Sequence, residues 1–430
     1  MLADIRAGSQ FTEGDAQTLR ALTVTESEPG AILHDMQALI GFVQGRRLQV
    51  SKTHQLLPLK VLSEINARLA HPVELGLSRP QLRSYPHIQG LYLLLRVTGL
   101  GDVRGSPSRP ILAIDEATLA SWSSLNTIEQ YFTLLEAWLM RGDVTIVGER
   151  HRPASALGVV SCAGLMRAIG DGGMEVAGDD RMGWYLDYAP GRMGIALLEE
   201  FGLLAVEHGA PAEGEGWQIE RIDRTPLGNA VFRLLATELL TSFEPLLALE
   251  DRPPEEFGVL QPIFQPYVPA WQRSLTLSSW EFRAGTYVFK VALGQGLWRR
   301  IATPGGLLLQ DLASAILDAY DFDYDHLYEF SYRDRFGREA SVSHPYMDEG
   351  PWVTEVRVGD VPLAVGERMG FLYDFGDWWQ FTLTLEQVDP PDPSISEPVL
   401  LAWEGEAPEQ YPGWDEEDWD EEDGEEAEEG

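Results

Sequence analysis

The chain is poor in cysteine, in lysine and in long apolar runs, and each shortage closes off a class of protein. One of its 430 residues is cysteine, Cys162, so neither an internal disulfide nor a cysteine-cluster zinc site can form, which fits a reducing cytoplasmic compartment. The longest apolar stretches, such as Leu91 to Leu95, fall far short of the ~20 residues that a spanning helix needs. No opening segment joins a basic start to an apolar stretch and a small-residue cleavage position, so no secretory signal is expected. Lysine is confined to Lys52, Lys60 and Lys290 against 29 arginines, and the formal net charge is -36. Such a chain repels phosphate backbones at long range, so nucleic-acid binding would need a local basic patch. Only Arg46-Arg47 and Arg299-Arg300 are basic pairs of that kind. Catalytic signatures are missing as well. His-Glu-x-x-His, Gly-x-Ser-x-Gly and the phosphate-loop pattern are absent, and Gly294-x-Gly296 lacks the third glycine of a dinucleotide loop.

What is present is an ordinary globular composition, 44% apolar and 10% aromatic, at a length that implies several domains. Residues 404 to 430 hold 15 carboxylates and no lysine or arginine; such a segment cannot bury enough apolar surface to offset ordering and reads as a disordered acidic tail. Two prolines and three acids at Asp251 to Glu256 close a helical pattern and open a linker, 251 to 280, whose aromatic residues are expected to dock on a neighbour.

Before that boundary the pattern is mainly helical and divides into segments 1 to 150 and 151 to 250. Leu56 to Leu69 and Ile88 to Leu100 have helical spacing, and glycines and prolines then break the pattern before the extended run Ile111 to Ile114. The outline recurs. Helix-like Ile195 to Leu204 leads to extended Trp217 to Ile222, and Thr225-Pro-Leu-Gly228 opens another helix. Helix, helix, hairpin is the outline of a winged helix; the alternative is an irregular helical domain. Asp115 is placed as an N-cap, and Tyr131, Leu134, Leu135 and Trp138 form one apolar stripe that reads as core.

From 281 to 403 the pattern is that of an α+β domain with an antiparallel sheet and a packed helix. Thr286 to Leu293 alternates as a half-buried strand, Leu297 to Ile301 follows, and Leu309, Leu312, Ala313, Ile316, Leu317 and Tyr320 repeat at three-four spacing as the buried face of a helix. His326 to Tyr332 is a further strand. In the last pair, Met369, Phe371 and Tyr373 share one face, as do Trp379, Phe381, Leu383 and Leu385. Keeping those faces together requires an odd loop that pairs Tyr373 with Trp379 and Phe371 with Phe381, with Gly376 free to take positive φ and Asp374 or Asp377 bonding turn amides. Tyr373-Asp-Phe-Gly-Asp-Trp378, with Leu297-Trp-Arg-Arg-Ile301 and Asp325-His-Leu-Tyr-Glu-Phe330, resembles the plasmid pRiA4b ORF-3 family over about residues 280 to 390. The resemblance implies strand, strand, helix and then a further antiparallel sheet, and an association with mobile elements. The family's cysteine-containing Cys-Pro-Pro-Glu-Asp segment has no counterpart in Ala407 to Trp414.

Two constellations could carry chemistry. Asp374 and Asp377 with His326 and Glu329 offer carboxylate oxygens and an imidazole to a divalent metal or to acid-base work, if their strands adjoin; the plainer alternative is that the aspartates build the turn and the histidine opens a strand. Trp298, Arg299 and Arg300 suit an anion or a stacked base, against the alternative that the arginines pair with nearby acids. In the tail, Trp414 and Trp419 among acids would suit docking on a basic partner or mimicry of nucleic acid, against the plainer alternative of a solvated solubility segment. Three functional readings follow: a non-catalytic interaction or regulatory protein with a protein partner and no cofactor; a metal-dependent enzyme using the turn carboxylates; and a DNA-associated mobile-element accessory protein using an arginine-bearing face of an N-terminal module.

Overall fold

The computed structural model describes residues 10–104, 108–149, 155–239, 256–277 and 281–411. The boundary at Asp251 to Glu256 therefore lies, apart from Glu256, outside the described residues, as does the tail beyond Tyr411 with Trp414 and Trp419. The chain divides into two compact units, Met1–Ser279 with Asp334–Arg338, and Trp280–Arg333 with Glu339–Gly430.

The first unit is a mixed region of many helices and two small sheets. After α1 (Glu13–Arg20) come α2 (Ile32–Val43), β1 (Leu48–Gln49), α3 (Leu59–Asn66), α4 (Pro86–Val97), β2 (Gly101–Arg104) and β3 (Ile111–Ile114), with the strands in the order β1-β3-β2. Pro86 opens α4 where its missing N–H costs nothing, and every residue of that helix is buried. Two helices intervene. In α5 (Glu116–Ser123) the expected Asp115 cap accepts from the Thr118 N–H at 2.9 Å, and α6 (Thr127–Arg141) buries Tyr131, Leu134, Leu135 and Trp138. The series then repeats as α7 (Ser155–Ala168), β4 (Met174–Glu175), α8 (Asp180–Tyr188), α9 (Arg192–Glu200), β5 (Leu204–Gly209) and β6 (Gln218–Arg224), with strand order β4-β6-β5.

Next, α10 (Pro226–Glu238) starts at Thr225, whose hydroxyl accepts from the Gly228 N–H at 2.9 Å. Helices α4 and α9 lie against each other closely enough that a Cβ on Gly90 would sit 2.7 Å from the Leu197 side chain. The segment after α10, with the single turn α11 (Gln261–Phe264), delivers Leu260, Phe264, Val268 and Trp271 to the same core. There Trp271 stacks on Phe132 at 4.7 Å between ring centroids.

The second unit is a seven-stranded antiparallel sheet with a helix. Its strands are β7 (Thr286–Gly294), β8 (Leu297–Pro304), β9 (Tyr328–Arg333), β10 (Glu339–Ser343), β11 (Arg368–Tyr373), β12 (Trp379–Asp389) and β13 (Val399–Glu404), in the order β10-β9-β11-β12-β7-β8-β13. Between β8 and β9 runs α12 (Leu309–Tyr320), with all six positions of its apolar face buried. The β11–β12 register is the one that the alternation demands: Tyr373 opposes Trp379 and Phe371 opposes Phe381.

Asp374 bonds a turn amide as expected, but positive φ falls elsewhere than at Gly376. Asp374 and Trp378, at φ of 59° and 56°, take the left-handed positions at the two ends of the loop, and Gly376 does not. Asp374 tolerates this because its carboxylate accepts the Gly376 N–H at 2.7 Å, the local bond that makes aspartate acceptable in that region. The domain also runs past Trp403, where its pattern suggested an end: β13 pairs with β8, and Gln410 is buried. Among the described residues no helix is long and apolar enough to cross a membrane.

Candidate functional site

At one end of the sheet of the second unit, the loop before β9 meets the β11–β12 turn. The Asp374 N–H donates to the Leu327 carbonyl at 3.0 Å, which brings His326 Nε2 to 3.5 Å from an Asp374 oxygen. The same imidazole nitrogen lies 2.9 Å from the Tyr411 hydroxyl. That hydroxyl is 3.0 and 2.9 Å from the two Asp325 oxygens, and Tyr373 Oη is 3.1 Å from the first of them. Burial pushes the Asp325 carboxyl up, but the hydrogen bonds from Tyr411 and Tyr373 outweigh it and hold it below the ordinary aspartate range. Burial and the adjacent Asp325 carboxylate push the Tyr411 phenol up, so it stays protonated and serves as a donor. Glu329 and Asp377 do not join this group. Glu329 faces Leu372 and Ser343 within the sheet, and Asp377 is exposed in the turn. Two of the four candidate ligands thus meet, and Asp325 and Tyr411, the latter beyond the expected end of the domain, complete their surroundings.

The basic candidates are engaged inside the domain. Trp298 donates its indole N–H to Glu404 at 2.6 Å, and Arg300 makes a two-pronged pair with Glu386 at 2.6 and 3.2 Å. Arg299, on the opposite face of β8, is buried. It donates to the carbonyls of Ala319, Trp298, Glu404 and Gly405 and lies 4.5 Å over the Tyr320 ring.

A second cluster, which no local pattern announces, lies in the first unit. His87 in the first turn of α4, Glu199 in the last turn of α9 and His208 on β5 offer ligand atoms that all lie within 4.8 Å of one another. His87 Nε2 is 2.8 Å from one Glu199 oxygen and His208 Nε2 is 2.7 Å from the other. The close approach at Gly90 brings α4 to α9, and a slip in the ladder between Glu207 and His208 sets the aim of the second imidazole, as bulges do. Trp217 packs edge-on against both imidazoles. Burial alone would raise the Glu199 carboxyl, but the hydrogen bonds from His208 and His87 dominate and bring it down to about 2. Its neighbour goes the other way. Glu200 is fully buried beside Asp35, and burial followed by that like charge pushes it well above the glutamate range. The spacing of His87 from Glu199, more than a hundred residues, explains why sequence alone leaves this group unseen.

With its antiparallel sheet and packed helix, the second unit is an α+β domain. Residues 286–415 match the family described as plasmid pRiA4b ORF-3-like protein, and the chain therefore carries a domain of this family there. A crystal structure of a protein of unknown function from Methanosarcina mazei Go1 is similar at 25% identity, covering 29% of this chain and 71% of that one, with a TM-score of 0.27. No curated protein is detectably similar.

Proposed function

We propose that the protein is a non-catalytic interaction protein whose pRiA4b ORF-3-like domain receives an extended segment of a basic partner protein along β13. The observation that carries this reading is the state of that strand. It is the last in the sheet, and among the described residues no strand pairs with its outer edge. Val399, Leu400, Leu401 and Trp403 are exposed on it, Trp403 at 64%. An apolar open edge is a template for strand addition. Charge selects the occupant: the 15 carboxylates that begin at Glu404 repel a second copy and attract a cationic chain. The ladder irregularity between Leu400 and Ala402 acts in the same direction, because a bulge discourages regular edge-to-edge pairing.

In the first unit, the repeated helix, strand, helix, helix, hairpin series, with the first strand beside the third in each small sheet, supports two winged-helix-like modules. Their third helices would be α4 and α9, the elements that such modules insert into DNA. Both are packed inward, α4 on every residue, which favours a protein partner over nucleic acid and a scaffolding or regulatory role.

The test is titration of the full chain with a synthetic peptide of alternating lysine and valine. Salt-sensitive binding that protects β13 amides from hydrogen exchange and weakens at least ~10-fold in Leu401→Lys is the expected result. The absence of protection would refute the reading, as would a dimer that Leu401→Lys disperses, because a second copy would then own the edge.

A further inference from the structure

We propose that His87, Glu199 and His208 form a binding site for one divalent transition-metal ion, with zinc the best match. This is independent of the partner reading above. Two imidazole nitrogens and a carboxylate oxygen make a borderline donor set that suits zinc, cobalt, nickel or ferrous iron, whereas magnesium and calcium favour oxygen-rich shells. The candidate atoms already converge: each imidazole Nε2 faces its own oxygen of a single carboxylate, at 2.8 and 2.7 Å. Bonds of about 2.0–2.1 Å to a tetrahedral ion set ligand atoms roughly 3.3 Å apart. The two short contacts would open by about half an ångström, and the wider separations, up to 4.8 Å, would close by side-chain rotation.

The backbone that carries them is rigid. His87 lies on a helix buried along its whole length, Glu199 on the helix packed against it, and His208 on a strand paired to β6. On the open side His208 is 27% exposed. This leaves a route for the ion and a fourth position for water, the arrangement of sites with three protein ligands. Bound there, the ion would tie the β5–β6 hairpin to α4 and α9.

One feature tempers the affinity. His87 Nδ1 is buried without a hydrogen-bond partner among the described residues, so the outer hydrogen bond that usually strengthens a ligating imidazole is missing on that side, a difference of about 10–100-fold. Micromolar rather than nanomolar binding is expected.

The rival arrangement is a metal-free clasp in which both imidazoles simply donate to Glu199. The experiment that separates them treats the full chain with chelator and titrates it with Co²⁺, followed by Zn²⁺. The site predicts one Co²⁺ per chain with the visible bands of low-coordinate cobalt, displacement by Zn²⁺ and a rise in Tm on loading. The affinity should fall at least ~10-fold in His208→Ala and stay unchanged in His326→Ala. His208 is partly exposed, so its alanine variant is expected to fold, and an apo Tm close to that of the apo wild type would check this. Should that variant fail to fold, His208→Asn replaces it under the same criterion. No uptake by the wild type, or uptake that persists unchanged in the folded His208 variant, overturns the proposal in favour of the clasp.

Discussion

Glu199 and Glu200 stand next to each other on α9 and are driven in opposite directions, the first toward strong acidity by two imidazoles and the second toward neutrality by burial and Asp35. For Glu200 the folded state keeps a proton that the unfolded chain releases near the ordinary glutamate value. Folding stability is therefore complete at and below that value and declines as pH rises above it toward the raised folded value. A glutamine cannot titrate and can still donate to Asp35. Glu200→Gln should leave stability nearly unchanged at pH 4 and increase it at pH 8 by roughly 1–3 kcal/mol, the scale for relieving a poorly satisfied buried group. Urea unfolding at the two pH values checks this, and an equal effect at both would remove the linkage. Glu199 has the opposite slope: its contribution is present above the ordinary glutamate range and is lost as pH falls toward about 2,.

At the scale of elements, β8 carries two adjacent arginines with different duties. Arg299 fastens the end of α12 to the end of β13 through the carbonyls of Ala319, Glu404 and Gly405, while Arg300 makes a half-exposed pair with Glu386. Replacing Arg299 by methionine removes buried charge-assisted hydrogen bonds and should cost about 2–4 kcal/mol. Arg300→Met should cost less than ~1 kcal/mol. Chemical denaturation of the two variants decides, and equal losses would contradict the division.

Both outcomes trace back to what the sequence makes legible. Strand alternation forces Trp298 and Arg300 onto one face and Arg299 onto the other, and the same parity argument gives the β11–β12 register, because a one-residue slip would turn every aromatic outward. The helical stripes of α6 and α12 are legible for the same reason. Long-range placement is not. Nothing local says that Glu329 and Asp377 point away from His326, that Tyr411 returns to Asp325, or that His208 reaches His87 across two helices. β13 escapes notice because its residues are exposed on both faces and give no alternation, so an apolar run beside an acidic segment looks like the end of a domain.

Across the first unit, the two helix-and-hairpin series share one apolar core. Stretches that the sequence divides at residue 150 fall within one compact unit, with α4 and α9 at their contact. Opening either helix to solvent means opening both. Native-state hydrogen exchange should accordingly give the innermost amides of α4 and α9 the same opening free energy, within about 0.5 kcal/mol, and the same dependence on denaturant. Exchange of one helix well before the other would show that the halves act separately.

The tight approach at Gly90 also bears on how such a chain can change over time. A side chain of any size at that position runs into Leu197, so single substitutions there are filtered out before any new use can be tried. Variation is left to the surface, to hairpin tips, the open strand and the acidic end. Lineages carrying this arrangement should therefore diversify in whom they bind while the buried helix stays nearly fixed.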